Sequence, residues 1–409
     1  MMGIRFTYDM RLDGIRVLDL SRLLPGGYAT QLLADMGAEV VKIERPGRGD
    51  YGREFDPKLP DGTGAVFAAV NRGKKSISID LSTDDGVEIL YRLVEDADVL
   101  FENFSPGVVD RLGIGYEDVR PYNSDLTYCS LTGYGQTGPK ADRPGHDLNY
   151  AGTAGLLDMG RDSEEAPPTP PGFPLVDMAG GQFAAFGIVG GLLGQLLGND
   201  GAENYVDVSM ADVMYSFSTA VTVEALCGGD PRPDRTMLTG KYPCYDVYET
   251  KDERFVTFGA LEPKFWTAFC DIVEREDLEE YHLSADPEIR SELGAELASI
   301  FGKRTRKEWQ GTFDGTDVPF GVINTPAETL QEPQFQARDM VQTGTDGGVP
   351  HVGFPAAGPD GPAGTAVADW PTVGEHTDEL LRGAGYSEPE REGLYDASVV
   401  YREDSPGER

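Results

Sequence analysis

Apolar and polar positions in the first 150 residues alternate in a way that predicts repeated strand–helix units. An apolar run at 15–20 predicts a buried strand, and a turn is expected over 21–27. The stretch 28–36 has helical periodicity and ends at Gly37, and a second apolar run covers 39–44. A strand, a glycine-rich turn, a helix and a strand in this order predict a βαβ unit, and therefore a parallel sheet with right-handed crossovers.

The same pattern continues to about residue 228. Short apolar runs predict strands, and stretches with apolar residues three or four positions apart predict helices. Asp177 is expected to open a glycine-rich helix that begins at Gly180. The further predicted strands cover 75–81, 97–103, 126–131 and 204–209, and the predicted helices cover 85–94, 150–157, 180–197 and 210–227.

The pattern changes after residue 228. Residues 242–250 and 254–259 are predicted to pair as an antiparallel hairpin, and helices follow it. We therefore predict an α/β fold, with a Rossmann-like parallel-sheet large domain and a smaller α+β domain. The predicted limits are 1–228 for the first part of the large domain, 229–334 for the small domain and 335–409 for a segment that returns to the large domain.

Length and composition narrow the class of protein. A chain of 409 residues with 39% hydrophobic residues suggests two or three domains with substantial cores. The longest apolar stretch is interrupted by glycines and a glutamine, and no export signal is recognisable, so a soluble cytoplasmic protein is expected. The scattered cysteines argue against a disulfide framework or a zinc site; they are Cys129, Cys227, Cys244 and Cys270.

Charge excludes further classes. The formal net charge is −35, and the acids are spread along the chain, which makes nucleic acid or an anionic membrane an unsuitable partner. Such acidity fits a protein of a high-salt environment, where screening makes it tolerable.

One segment, from Lys42 to Lys75, departs from the acidic trend with eight basic residues against five acidic ones. An anionic ligand, such as a phosphate-bearing cofactor, would explain the excess. The structural alternative is that these residues pair with acids elsewhere in the chain. The basic residues of the segment are Lys42, Arg45, Arg48, Arg53, Lys58, Arg72, Lys74 and Lys75.

Three residues are candidates for acid/base chemistry. His146 is one of four histidines and stands among polar neighbours, and an imidazole can exchange a proton near neutral pH. Asp177 stands among apolar residues, which would raise its pKa and make it a better base or nucleophile. As a helix N-cap, Asp177 would also lie near backbone N–H groups suited to an oxyanion. Glu262 precedes Pro263, where a structural role at a helix start is the alternative.

Several motifs, in the same order along the chain, resemble those of the class III CoA-transferase (CaiB/BaiF) family. These are LDLSRLLPGGYATQLLADMGAEVVKIERPGRGD, NRGKKSISIDL, ADVLFENFSPGVVDRLGIGY and VGEHTDELL. The resemblance extends from about Asp13 to about Leu381. Within the family, GHDLNY, LVDMAGG and GALEPKFW are most similar to the α-methylacyl-CoA racemase branch.

The resemblance implies roles for individual residues. His146 and Asp177 would be the catalytic acid/bases, Glu262 would support the histidine, and Asp147 belongs to the histidine motif. The resemblance also implies an interlocked homodimer and no prosthetic group, with coenzyme A entering as part of the substrate thioester. The residues implied to bind it are Leu24, Pro25, Arg45, Arg72, Lys74, Lys75, Asn103, Phe104 and Arg111.

Three functions remain open at this point. Racemisation of a 2-methyl-branched acyl-CoA needs two bases on opposite faces of the α-carbon, and His146 and Asp177 would supply them. Transfer of CoA between carboxylic acids needs only Asp177, which would form an aspartyl-CoA thioester. An acyl-CoA binding protein without chemistry would leave the polar constellation unexplained. The histidine motif favours racemisation.

Overall fold

The structure, a computed structural model, describes the residues 12–198, 204–233, 236–342, 351–358, 361–362 and 369–402. The chain divides into two compact units. Unit 1 comprises Met1–Ala154, Pro171–Phe217 and Pro333–Arg409, and unit 2 comprises Gly155–Pro170 and Ser218–Glu332. The domain limits of the sequence analysis stay predictions; they do not foresee that 155–170 group with unit 2.

The strands and helices follow each other in the order expected of an α/β chain. The strands are β1 (Arg16–Asp19), β2 (Glu39–Glu44), β3 (Lys75–Ile79), β4 (Val99–Glu102), β5 (Thr127–Thr132), β6 (Tyr205–Ser209), β7 (Tyr245–Glu249), β8 (Phe255–Gly259), β9 (Phe320–Val322), β10 (Val341–Gln342), β11 (His351–Val352), β12 (Ala357–Gly358), β13 (Gly361–Pro362) and β14 (Val400–Tyr401).

The helices in unit 1 are α1 (Leu23–Asp35), α2 (Ala65–Ala69), α3 (Asp84–Glu95), α4 (Val108–Leu112), α5 (Tyr116–Val119), α6 (Asp147–Thr153), α8 (Leu175–Leu196), α9 (Met210–Phe217), α15 (Pro333–Ala337), α16 (Thr377–Gly383) and α17 (Glu388–Asp396). Those in unit 2 are α7 (Leu156–Met159), α10 (Thr219–Leu226), α11 (Pro263–Val273), α12 (Pro287–Phe301), α13 (Arg306–Phe313) and α14 (Pro326–Thr329). Short 3-10 helices cover Tyr51–Glu54 and Glu276–Tyr281.

Unit 1 is built on a seven-stranded sheet with the order β14-β3-β2-β1-β4-β5-β6. All neighbouring pairs are parallel except β14 with β3. The central strands are buried on both faces, as strands of parallel sheets are when helices cover them. The prediction of a Rossmann-like parallel sheet is confirmed. The strand order reverses direction between β1 and β4, which creates a crevice at their carboxyl ends.

The turn predicted over 21–27 is wrong, because helix α1 already begins at Leu23. Pro25 lies in the first turn of this helix, where a residue without an N–H costs no hydrogen bond. The following glycines allow close packing rather than a turn. A Cβ on Gly27 would come within 2.7 Å of Val70, and the two segments could not approach as they do.

Helix α8 begins five residues earlier than predicted, at Leu175 rather than Gly180, so Asp177 lies inside its first turn. The helix packs on α1, α9 and the strands β5 and β6. Gly181 permits the contact with α1, since a Cβ there would lie 2.5 Å from the carbonyl oxygen of Pro25. By length and composition α8 would also suit a membrane span, but 44% of its most apolar stretch is buried within the protein.

The long helix predicted over 210–227 is interrupted at Ser218, between α9 and α10. The carbonyl oxygen of Ser218 accepts the amides of Val221 and Thr222, and its hydroxyl bonds that of Thr222. A serine that offers such local hydrogen bonds favours a helix boundary over helix continuation. The two compact units separate at this residue.

Unit 2 contains an antiparallel sheet of order β7-β8-β9. The predicted hairpin is confirmed, with Tyr245 opposite Gly259 and Glu249 opposite Phe255. Helices α11, α12 and α13 cover the sheet with aromatic side chains. The core includes the buried rings of Tyr248, Phe258, Trp266, Phe269, Phe301, Trp309 and Phe313.

Candidate active site

The crevice between β1 and β4 is closed at its base by a side-chain clamp. Asn103 follows β4, and its Oδ1 accepts the amide of Arg22, which follows β1, at 2.8 Å. Its Nδ2 donates to the carbonyl oxygen of the same residue at 2.9 Å. The clamp fixes the ends of two neighbouring strands at the place where open α/β sheets bind ligands. Asn103 is thereby placed in the crevice, where the sequence predicts it.

A cavity of about 820 Å³ opens at this crevice, entirely within unit 1. It is large enough for a substantial small molecule and has mixed apolar and polar walls. Most of the lining residues that the sequence predicts for a site come from α1, the segment after β4, and the loop before α6. Of the residues singled out by sequence, Leu24, Pro25, Asn103, Phe104, His146 and Asp177 line it.

His146 stands immediately before α6 with an extended backbone and an exposed side chain. Its amide donates to Oδ1 of Asn149 at 2.9 Å, and its carbonyl oxygen accepts the amide of Asn149 at 2.8 Å. The preceding Gly145 packs on the ring of Tyr150, where a Cβ would be 2.7 Å from the ring. The hydroxyl of Tyr150 also donates to the carbonyl oxygen of Gly145 at 2.5 Å. The backbone is therefore held firmly while the imidazole faces the cavity.

Asp177 reaches the same cavity from the third position of α8. Its side chain is partly buried, and this burial is the largest cause of its raised pKa. Burial and then the charge of Asp147 raise the pKa of Asp177 to about 6, while His146 acts in the opposite direction. The sequence prediction of a raised pKa is confirmed. A carboxyl group with this pKa is available in both protonation states near neutral pH.

Asp177 is not the N-cap that the sequence analysis expects. The cap position is occupied by Pro174, and the capping carboxylate is that of Asp147. Oδ1 of Asp147 accepts the amides of Val176 at 2.7 Å and of Asp177 at 3.0 Å. The amides at this helix start are thus already bonded within the protein. The expectation that they would stabilise an oxyanion is wrong.

A second, smaller cavity of about 370 Å³ lies at the carboxyl ends of β1, β2 and β3. Arg45 lines it and has an exposed side chain. Arg22, Asp50 and Phe104 line both cavities. The guanidinium of Arg22 lies over the ring of Phe104 at 4.8 Å and over that of Tyr51 at 5.5 Å. A cation is therefore positioned at the boundary of the two spaces.

The sequence analysis missed Arg22. Arg22 stands between a predicted strand and a predicted turn, and no neighbouring residue type there indicates a binding site. A basic residue directly after the first strand of a βαβ unit was the available indication. The ion pair between Asp50 and Lys42 was also not predicted, because Asp50 stands within a loop of mixed charge.

Most of the basic segment is engaged with carboxylates of the protein. Lys42 pairs with Asp50 at 3.0 Å, Lys74 with Asp19 at 3.2 Å, and Arg72 with Asp35 at 2.5 Å. The further pairs are Arg53 with Glu44, Arg48 with Glu54, and Lys75 with both Glu39 and Glu379. The structural alternative, pairing with acids elsewhere in the chain, therefore accounts for Arg72, Lys74 and Lys75, whereas the other three cations pair with acids of the segment itself.

Lys74 is the most deeply placed of these cations. Its Nζ is bonded to Asp19 at 3.2 Å, Gly27 at 3.1 Å, Thr30 at 2.6 Å and Asn71 at 2.9 Å, and the side chain has no exposure. Burial lowers the pKa of Lys74 to about 8 although Asp19 opposes this. Such a group joins β1, α1 and the end of α2 from inside the fold. It offers no donor to a molecule in either cavity.

The remaining predicted residues lie elsewhere. Arg111 has an exposed side chain on α4. Glu262 is exposed in unit 2 as the N-cap residue of α11, with Pro263 at the first helical position. Its carbonyl oxygen accepts the amides of Phe265 and Trp266, so the structural reading of this position holds. A supporting role for its carboxylate toward His146 stays a prediction. Within the described residues, no cluster of three or more His, Cys, Asp or Glu side chains is suited to a metal ion.

A switch-point crevice with two adjoining cavities, one of them lined by His146 and Asp177, is the kind of ligand site that α/β enzymes have. The chain belongs to the CoA-transferase family III, whose family model matches residues 12–377. The proteins that match this chain are named both as CoA-transferases and as a racemase of an acyl-CoA.

Relatives with both kinds of activity are similar to this chain. An acyl-CoA transferase of Fusarium pseudograminearum is 35% identical and covers 91% of this chain and 85% of its own length. The alpha-methylacyl-CoA racemase of Mus musculus is 34% identical, over 96% of this chain and 98% of its own. The crystal structure of the protein Rv3272 of Mycobacterium tuberculosis superposes with a TM-score of 0.78 at 33% identity and covers 90% of this chain and 99% of that one. The family is thereby established, and the particular reaction is a separate question.

Proposed function

We propose that the protein interconverts the epimers of 2-methyl-branched acyl-CoA thioesters. The observation that carries the proposal is that His146 and Asp177 line one cavity from different elements. Two proton-exchanging groups of different chemistry are more than CoA transfer requires. They are what proton removal and return at one carbon requires.

The reaction needs one proton on the pair. One group removes the α-proton from one face of the substrate, and the thioester carbonyl takes up the electron pair as an enolate. The other group, which carries a proton, delivers it to the opposite face. After one turnover the proton has changed its position within the pair, and the enzyme is ready for the opposite epimer. The raised pKa of Asp177, about 6, suits it to both roles.

The proposed orientation of coenzyme A follows from the two cavities. The acyl group and the thioester would occupy the larger cavity near His146 and Asp177, with the pantetheine chain beside Leu24, Pro25 and Phe104. The phosphates would lie toward the smaller cavity, near Arg22 and Arg45. A guanidinium offers paired donors to phosphate oxygens, which a carboxylate-bound lysine cannot. Arg111, exposed on α4, stays a proposed contact. Arg72, Lys74 and Lys75 are proposed to support the fold instead, because their cations are paired with carboxylates of the protein.

A homodimer is part of the proposal. Helix α8 exposes apolar side chains along one face, including Phe186 at 73% and Leu193 at 53% exposure. Phe217 of α9 extends this face through its contact with Phe183, at 5.8 Å between ring centroids. A continuous apolar surface of this kind is typical of an interface between proteins. Analytical ultracentrifugation in high salt should give twice the chain mass, and a monomer would contradict this part.

The decisive test follows the α-proton. Branched acyl-CoA substrates are incubated in deuterium oxide at high salt, and incorporation at the α-position is read by NMR. We expect exchange with the wild-type protein and a loss of roughly a hundredfold to ten-thousandfold in the His146→Ala variant. Absence of exchange with every branched substrate offered would overturn the proposal.

CoA transfer is the second candidate, favoured by the transferase relatives and by the access of Asp177 to the cavity. In that reaction the carboxylate would attack the acyl-CoA, form a mixed anhydride and then an aspartyl-CoA thioester. The His146→Ala variant would keep substantial turnover. Hydroxylamine would trap the intermediate at Asp177, and mass spectrometry of the modified peptide would detect it.

A further inference from the structure

The carboxylate of Asp147 joins the two halves of the acid/base pair. It directly follows His146 in the chain, and its Oδ1 accepts the amides of Val176 and Asp177 at 2.7 and 3.0 Å. The two segments are separated in sequence by the stretch 155–170, which belongs to unit 2, and α6 packs on α8. The side chain of Asp147 adds a direct hydrogen-bonded link from the histidine loop to the start of α8.

Helix α8 needs this contact because it cannot cap itself. The first amides of a helix have no partner within the helix, and a side chain before it usually accepts them. Here the cap position is Pro174, whose side chain has no acceptor. Asp147 supplies the missing acceptor from outside the helix.

We propose that Asp147 is a positioning residue, which holds His146 and Asp177 in register on the two sides of the substrate and carries no proton in the reaction. The inference rests on the proposed function for its kinetic consequences. Its structural part, the contact with the start of α8, stands independently. Both bonds use Oδ1 as an acceptor, so a proton on that oxygen would face two N–H donors.

Electrostatics add a second consequence of the same contact. After burial, the charge of Asp147 is the next cause that raises the pKa of Asp177. His146 lowers the pKa of Asp177. Asp177 in turn affects Tyr150: burial of the tyrosine and then the charge of Asp177 raise the pKa of Tyr150 to about 12. Among the described residues, the groups whose charges are coupled to that of Asp177 are Asp147, His146 and Tyr150, which all lie in or directly before α6. Removing the charge of Asp147 while keeping its shape should therefore lower the pKa of Asp177.

Two variants separate these roles. Asp147→Asn keeps an acceptor oxygen and removes the charge, so we expect α-proton exchange to persist at pH 8. The acid limb of the rate, which we expect near pH 6 in the wild type from the pKa of Asp177, should move down by roughly one unit. Asp147→Ala removes the acceptor as well. We expect its kcat to fall by roughly a hundredfold, because misplaced groups lose the attack geometry.

The matched control is Asp286→Asn, a change to another capping carboxylate, which accepts the amide of Glu288 at the start of α12 in unit 2. It should leave both the rate and the acid limb unchanged. Loss of exchange at every pH in Asp147→Asn, with a normal unfolding transition, would show that Asp147 itself transfers a proton and would overturn the proposal. An Asp147→Ala variant as active as the control would also overturn it.

A measurement without turnover covers the case in which the wild-type protein does not exchange the α-proton. Carboxyl carbons of labelled aspartates are titrated by NMR, and the Asp177 resonance is assigned from Asp177→Asn. We expect a midpoint near 6 in the wild type and a lower one in Asp147→Asn. An unchanged midpoint would overturn the positioning contact, whereas a shifted midpoint without any exchange would overturn only the proposed function.

Discussion

The basic segment and the loop that carries His146 show opposite uses of charge. In the segment from Lys42 to Lys75, most cations are neutralised by carboxylates inside the fold, and Lys42 and Lys74 are fully buried. Around His146 and Asp177 the acids stand close together, and Asp147 raises the pKa of its neighbour. The region with the greater charge excess supports the sheet, and the region with little excess holds the two residues proposed to exchange protons.

The difference shows that an excess of charge in a sequence does not by itself locate a site. Cations beside the buried strands pair with buried acids such as Asp19 and Asp35. A buried acid without a cation is costly, and proteins retain it where an altered pKa is useful. Asp177 is the partly buried case of this kind. Five predictions, which begin with the largest expected effect and end with the smallest, break or sharpen the comparison.

The largest effect is expected for Asp177→Asn. Loss of one member of the pair should lower α-proton exchange by at least roughly a thousandfold, since general acid/base groups contribute at this scale. The control is Asp212→Asn, a change to an acid in the first turn of α9. Retention of exchange in the Asp177 variant would assign the acid/base role to another group.

The same variant should make the protein more stable. The pKa of Asp177 is raised in the folded state, so its contribution to stability is fully present below pH 4 and is lost as the pH rises through about 6. Asparagine is uncharged and does not suffer this loss. The free energy of unfolding of the variant should therefore exceed that of the wild type by up to about 3 kcal/mol at pH 7, since each pKa unit corresponds to about 1.4 kcal/mol. Urea unfolding at pH 4 and pH 7 would measure this. An equal difference at both pH values would contradict it.

A large loss of stability is expected for Lys74→Met. The change leaves Asp19 buried without this partner, which typically costs about 3–5 kcal/mol. The double variant Asp19→Asn with Lys74→Met should recover part of this, because no charge is then left unpaired. Urea unfolding of the single and double variants measures both. If Lys74→Met unfolded like the wild type and only weakened CoA binding, the segment would bind a ligand after all.

A smaller effect, on binding, is expected for Arg22→Ala. The loss of a guanidinium at the boundary of the two cavities should raise KM for acyl-CoA by roughly tenfold, the scale of one hydrogen bond to a charged group, and leave kcat nearly unchanged. Arg48→Ala is the matched control. Its guanidinium also lies over Tyr51, at 5.2 Å, but it pairs with Glu54 and lines neither cavity. Equal KM values in the two variants would refute the assigned position of the phosphates.

The smallest effect is expected for breaking that surface pair itself. Arg48 and Glu54 are both largely exposed, and water and salt screen such pairs. Arg48→Ala should therefore leave the unfolding midpoint unchanged within error at high salt. A clear loss of stability would show that this exposed pair supports the fold in the same way as the buried pairs of the segment.

Much of the fold was predictable, because strand and helix periods are local properties. The βαβ pattern at 15–44 predicts the parallel sheet, and the hairpin after 242 is found with its polar turn. The errors occur where contacts distant in sequence decide. Helix α1 begins before its glycines because those glycines pack on Ser21 and Val70, and α8 begins before Gly180 because Asp147 caps it.

Sequence by itself determined the family, the order of strands and helices, and the identity of His146 and Asp177 as candidates, since these depend on local pattern and on side-chain chemistry. Only the tertiary structure decided which charges are free to act. It pairs Lys74 with Asp19 and Arg72 with Asp35, leaves Arg22 between two cavities, and assigns the capping of α8 to Asp147. Ion pairs and caps between segments far apart in the chain have no local pattern, because they arise only when the sheet brings those segments together.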